Sequence, residues 1–172
     1  MSDGNHHYDI GQWVVHSRYG VGQIKKIENI PLHADRDAEE QCFQVQTGGG
    51  VFWFPVEQHE NPSIRPVITK NQLISAFKIF EAAPEDTGLH RNELRIRINE
   101  TQTDVSIYTT IRLIRDLLTR DVTKKLNIFE DRALRKHMER LIREWALCKE
   151  MDETEAQTEF DLLLQKRNLL PT

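Results

Sequence analysis

The sequence predicts an α+β fold: a small β-module in the first 68 residues, then an all-α bundle of about five helices. Two observations carry this. Before Pro66 the apolar residues follow the two-residue period of half-buried strands, interrupted by glycine turns. Beyond it they recur every three to four residues, as along one face of a helix. In the second part, Asn127-Ile128-Phe129-Glu130 and Asp152-Glu153-Thr154-Glu155 also have the spacing of a capping box. In such a box the first and fourth side chains each accept the other's backbone N–H at a helix start.

Taken in order, residues 12–16 form a strand of β-branched and aromatic character. Ser17-Arg18-Tyr19-Gly20 supplies a turn, with Gly20 free to take positive φ. A second strand covers residues 21–30, and Gly22 within it marks a bulge or a close backbone approach. Residues 31–40 are polar and charged and read as a loop. Residues 41–46 alternate, with Phe43 and Val45 on one face and Cys42, Gln44 and Gln46 on the other. Thr47-Gly48-Gly49-Gly50 is a turn and not a phosphate loop, because no Lys-Ser/Thr follows it and no helix opens there.

Residues 51–56 make the next strand, with Val51 and Trp53 pointing one way and Phe52 and Phe54 the other. Both faces are apolar. Either the helical half covers the outer one, or that face is a patch for a partner. Pro55 cannot donate a ladder hydrogen bond and favours an edge strand, to which a strand of another protein can add. Ile64 and Val67 supply one last short strand at best.

Asn71 is expected to cap the first helix, with Leu73, Ile74, Phe77 and Phe80 on one face and Ala83-Pro84 ending it. Residues 89–101 form a second helix, although Leu94, Ile96 and Ile98 also satisfy strand alternation. Thr103 or Asp104 caps a third, with Val105, Tyr108, Ile111, Ile114 and Leu118 inward. The Asn127 box opens a long fourth helix with a stripe of Leu134, Met138, Leu141, Trp145 and Cys148. The Asp152 box opens a fifth, with Ala156, Phe160 and Leu163 or Leu164 inward. The stripes read as core. The expected domains are residues 8–68 and 69–170.

The net charge is −4, and its distribution is uneven. Residues 89–143 hold 13 Lys and Arg against 8 Asp and Glu, whereas residues 1–68 hold 5 against 9. The two cysteines, Cys42 and Cys148, are far apart and in no metal spacing, so a reducing compartment fits. No apolar leader and no run of membrane-spanning length is visible, which predicts a cytoplasmic protein with no membrane partner. No nucleophile elbow, Walker motif, HExxH or metal-spaced carboxylate cluster is present, and His16, His59, His90 and His137 are dispersed. His6-His7 has no third ligand suggested nearby. His16 reads as a strand residue bonded to backbone. The expectation is a non-enzyme with no catalytic residue, metal or cofactor.

The stretch Gly11-Gln12-Trp13-Val14-Val15-His16-Ser17-Arg18-Tyr19-Gly20-Val21-Gly22-Gln23-Ile24 resembles a known opening motif. It is that of the CarD/CdnL family of bacterial transcription regulators, shared with the polymerase-interaction domain of transcription-repair coupling factors. The order of elements and the stretch from Thr103-Asp104-Val105 to Ile114-Arg115-Asp116-Leu117 fit the same family, and the resemblance covers residues 8–168. It implies a Tudor-like barrel that adds itself to a sheet of the RNA polymerase β subunit, and a helical domain on upstream promoter DNA. Polymerase would then meet Ile30, Val51, Phe52, Trp53 and Phe54. The family often has arginines at the places of Ile30 and Trp53, so this contact should be greasier and less sensitive to salt. DNA would meet Leu89, His90, Arg91, Arg95, Arg97, Lys124, Lys125 and Arg132, through the backbone and the minor groove and without base readout. Leu89 stands where the family commonly has a tryptophan wedge. It either wedges more shallowly or merely staples the following helix.

The function implied is a monomeric regulator that binds the polymerase β subunit and promoter DNA and modulates open-complex stability. The alternative is a protein-only polymerase adaptor. Its basic residues would be a solvated face, with Arg112–Asp116 and Arg135–Glu139 at i,i+4 spacing.

Overall fold

A computed structural model of the chain describes residues 8–31, 39–57, 61–82, 91–167 and 169. It divides into two compact units, Met1–Val67 and Ile68–Thr172.

The first unit is one antiparallel sheet of five strands: β1 (Trp13–His16), β2 (Gly20–Ile30), β3 (Glu40–Thr47), β4 (Gly50–Pro55) and β5 (Ile64–Pro66). Their order is β4-β3-β2-β1-β5, which puts β4 and β5 at the two ends. Gly20 closes the first hairpin at φ +77°, a conformation costly for a residue with a Cβ. Gly22 is a close approach rather than a bulge. A Cβ there would sit 2.6 Å from Val45 Cγ1 and 2.9 Å from the Gln46 carbonyl oxygen. The bulge falls two residues later, between Ile24 and Lys26.

Val14, Ile24, Phe43, Val45, Phe52, Phe54 and Ile64 form the core of this unit, with Tyr8 packed among them. The sheet is strongly curled. His16 on β1 and Phe52 on β4 are three strand positions apart, ~14 Å in a flat sheet. Their ring centroids are 4.9 Å apart, and Tyr19 stacks on Phe52 at 5.0 Å. The Tudor-like architecture is thus present as an open barrel, since β4 and β5 do not pair with each other among the described residues.

The second unit contains α1 (Lys70–Glu81), α2 (Arg91–Glu100), α3 (Ile107–Thr123), α4 (Ile128–Lys149) and α5 (Glu153–Gln165). The cap of α1 is Thr69, not Asn71. The Thr69 hydroxyl accepts from the Gln72 N–H at 3.3 Å, and Gln72 Oε1 accepts from the Thr69 N–H at 2.9 Å. Leu73, Ala76 and Phe80 are buried, while Ile74 faces solvent. The segment Ala83-Pro84 lies outside the described residues.

Residues Leu94 and Ile98, four apart, are buried and Ile96 is exposed, so α2 resolves as a helix. In α3 the buried row runs through Ile107, Ile111, Ile114 and Leu118, as expected from Ile111 onward, but Tyr108 is exposed, contrary to expectation. Both expected capping boxes are formed, Asn127 with Glu130 and Asp152 with Glu155. Trp145 packs on Phe77 at 4.4 Å and on Phe160 at 5.9 Å, in the core.

A histidine is sealed inside this bundle. His137 is 4% exposed, with Nε2 3.1 Å from the Thr101 hydroxyl. That hydroxyl donates its single proton to the Ile98 carbonyl at 2.6 Å, so it accepts from His137 Nε2–H. Nδ1 is then the bare nitrogen, buried and without a hydrogen-bond partner among the described residues. Burial, reinforced by the Arg140 and Lys136 cations, pushes the imidazole pKa down to about 4. No described helix is long and apolar enough to cross a membrane.

Candidate functional site

The β-module presents an open sheet edge. Among the described residues β4 pairs only with β3, and its register sets Trp53 opposite Gln44 and, across β3, Lys26 of β2. The inner row Phe52–Val45–Ile24 is buried. Phe52 and Phe54, expected at the polymerase surface, are therefore core residues. Curling brings His16 and Tyr19 over Phe52, and Tyr8 meets Phe54 edge-on at 5.4 Å. The outward side chains of β4 are Val51, 39% exposed, and Trp53, 41% exposed.

A carboxylate holds Trp53 in place. Its indole Nε1–H donates to Glu28 Oε1 at 2.6 Å, and Gln44 Nε2 donates to the same oxygen at 2.9 Å. Lys26 Nζ sits 2.6 Å from the other Glu28 oxygen. The Lys26 hydrogen bond, then that of Trp53, holds the Glu28 carboxyl below the usual carboxylate range. Lys26, Glu28 and Ile30 alternate onto this face, with Ile30 half-buried. Ile30 stands four residues along β2 from the Trp53 row, ~13 Å away. On β4 the exposed apolar side chains are thus Val51 and Trp53, the latter clamped by Glu28. His16, as expected, bonds to backbone: the Arg18 and Tyr19 N–H groups donate to its Nδ1 at 2.9 and 3.3 Å.

In the helical unit the expected DNA-facing cations separate into two sets. Arg95, Lys124, Lys125 and Arg132 are exposed. Arg97 is not free. It pairs with the buried Asp116 at 2.7 Å, and Asp116 also accepts from Arg115 Nε at 2.8 Å, while Arg115 Nη1 donates to the Ile79 carbonyl. Arg97 is therefore part of the packing between α2 and α3. The expected Arg112–Asp116 pair is displaced by this network, and Arg135 pairs backward with Asp131 at 3.0 Å instead of forward with Glu139. Leu89 and His90 lie outside the described residues, as does the side chain of Arg91. Among the described residues no cluster of His, Cys, Asp or Glu is placed to hold a metal ion.

Two family models match the chain. The CarD-like/TRCF RID domain matches residues 8–68, and the CarD C-terminal domain matches residues 75–161. The chain belongs to the CarD family. CarD proteins are non-enzymatic transcription factors that interact with RNA polymerase, and the two matched segments follow the two compact units, the first running one residue past the boundary to Ile68 and the second lying inside the helical unit.

Sequence reasoning placed Val51 and Trp53 on one face of a CarD-type module but could not say which face of β4 looked outward. The deciding neighbours, His16 and Tyr19, are far away in the chain. It also missed Glu28 as the partner of Trp53. Only the register of β2 with β3 and β4 could have shown that pairing. The Asp116 network was missed because i,i+4 spacing gave the acid a nearer, wrong partner.

Proposed function

We propose that this CarD protein docks on the RNA polymerase β subunit along β4 and touches upstream promoter DNA with exposed cations of its helical unit, adjusting open-complex lifetime. The observation that carries the reading is the open β4 edge, with Val51 and Trp53 outward on a module of the RID type. Backbone groups along such an edge can accept a strand from a partner, and an anchored aromatic gives that contact its strength. Arg95, Lys124, Lys125 and Arg132 suit phosphate contacts, which position a protein on DNA without reading sequence. At Leu89, a leucine wedge in the minor groove would stabilise the melted edge less than a tryptophan, which adds a stacking ring.

The test is co-purification of polymerase with the full chain, followed by open-complex lifetimes on one promoter. Absence of the β subunit sinks the docking half. If Leu89→Ala and Leu89→Trp leave the lifetime unchanged, Leu89 is a structural staple.

A protein-only adaptor is favoured by one observation: Arg97 and Arg115 are engaged with Asp116, and Arg120 lies 3.5 Å from Glu130, so much of the basic excess is internal. Salt titration separates the two readings. Phosphate binding falls steeply with salt, by about 0.9 in log K per log salt for each phosphate neutralised.

A further inference from the structure

Helices α1 and α5 both pack on α4 and leave a pocket of about 610 Å³ between them. Buried Leu73 and Phe80 of α1 and buried Trp145 of α4 line it, with half-buried Phe77 and Leu163 beside them. At its lips Ile74 is 61% exposed and Leu162 52%. Each stands next to a wall residue in the chain and widens the apolar stripe of its helix beyond what the core covers.

Two ion pairs bound the pocket. Lys149 Nζ pairs with Glu159 Oε2, which also accepts from the Trp145 Nε1–H at 3.1 Å. Arg167, just past the end of α5, pairs at 3.1 Å with Glu81, the last residue of α1, so this bridge runs from one wall to the other. One charge on the rim is left over. Lys166 lines the pocket, is exposed, and has no ion partner among the described residues. Three cations thus face two carboxylates, and the surplus is positive.

We propose that this pocket binds a small aromatic carboxylate, independently of the docking and DNA readings above. One or two rings lie among Leu73, Phe77 and Trp145, and the carboxylate meets Lys166. Aromatic walls favour a ring edge-on or offset against them. The volume is that of an ordinary small-molecule site, ~300–1,000 Å³, with apolar walls and a few polar groups at the rim. An amphipathic helix from a partner fits less well. It needs several turns of open groove, and the Glu81–Arg167 bridge crosses this one. A neutral ligand leaves Lys166 unused, and a cationic one meets the positive surplus.

The test is titration of the isotopically labelled full chain with naphthoate, followed by amide and indole NMR signals. The Trp145 indole N–H reports on the pocket directly. A saturating shift is expected there and at the Ile74 and Leu162 amides, with a Kd of about 1 mM or tighter for a ligand of this size. Naphthalenemethanol, the uncharged analogue, should bind about threefold more weakly, the scale of one exposed ion pair. Lys166→Gln should remove that difference, whereas Lys78→Gln, on α1 but outside the pocket, should keep it. Ile74→Glu with Leu162→Glu, both at exposed positions, should abolish binding without unfolding the chain. No saturating shift, or shifts centred on another face, overturns the proposal. Equal affinity for acid and alcohol, or a preference that survives Lys166→Gln, overturns the carboxylate, and tighter binding of octanoate overturns the aromatic ring. Self-association in sedimentation that disappears in the double variant assigns the pocket to a second copy and likewise overturns it.

Discussion

Mild acid is expected to destabilise the helical unit through one side chain, His137. The imidazole is sealed in the bundle with its Nδ1 bare, and its pKa falls from 6.5 to about 4 in the fold. A group whose folded pKa is depressed contributes fully above its unfolded pKa. Here that contribution is complete above about pH 6.5 and is lost as the pH falls toward 4, while the unfolded chain takes up the proton first. At about 1.4 kcal/mol per unit, the full loss is about 3 kcal/mol, of which about 2 kcal/mol has gone by pH 5. His137→Gln is the matched variant. Its amide can donate to the Thr101 hydroxyl as Nε2–H does, and it does not titrate. Urea unfolding followed by far-ultraviolet circular dichroism, at several pH values, gives the stability of each. The difference between wild type and variant should shift by about 2 kcal/mol between neutral pH and pH 5. If the two lose stability in parallel, His137 takes up its proton in the folded state without cost, and the sealed-nitrogen account is wrong.

Phe52→Ala should lower the stability of the β-module by about 3–5 kcal/mol, whereas Trp53→Ala should fold and weaken polymerase binding by about 2 kcal/mol. Melting curves and polymerase affinity distinguish the two, and unchanged affinity for Trp53→Ala removes β4 as the docking face. Asp116→Asn should cost the helical unit about 3–5 kcal/mol by leaving Arg97 and Arg115 without their carboxylate. A wild-type denaturation curve would show the network to be idle. Lys124→Glu with Lys125→Glu should weaken DNA binding equally on unrelated sequences and shallow the salt slope by about 0.9 for each phosphate no longer neutralised. A loss confined to one sequence would contradict backbone contact.

The parts of the fold readable in the sequence were those written locally. The capping boxes at Asn127 and Asp152 need only a polar side chain and a glutamate three residues on, and both formed. The same logic held at Thr69 with Gln72, but Asn71, a stronger capping residue two positions later, drew attention from it. Alternation found β4 yet could not rank its two apolar faces, because the rings that bury Phe52 come from β1 and the turn after it. Tyr108 was misplaced although Val105, Ile111, Ile114 and Leu118 of the same expected stripe are buried, because the buried row passes through Ile107, four residues before Ile111, instead. At the candidate site the exposed cations Arg95, Lys124, Lys125 and Arg132 were identifiable by residue type, whereas Val51 and Trp53 came from the family resemblance together with the buried Phe52 and Phe54. Arg97 was not, since its fate depends on a carboxylate nineteen positions away on another helix.

The β4 edge has a bearing on the protein before it ever meets a partner. Six residues of sheet border, with valine and tryptophan outward, form a template on which any extended chain can grow, including another copy emerging from the ribosome. Pro55 removes one donor and terminates the template. This shortens the hazard without abolishing it, and an edge that is to accept a partner strand, as proposed above for β4, cannot be blunted completely. If β4 is the docking edge, copies made beyond the number of docking partners would keep this border uncovered and would be the first to associate.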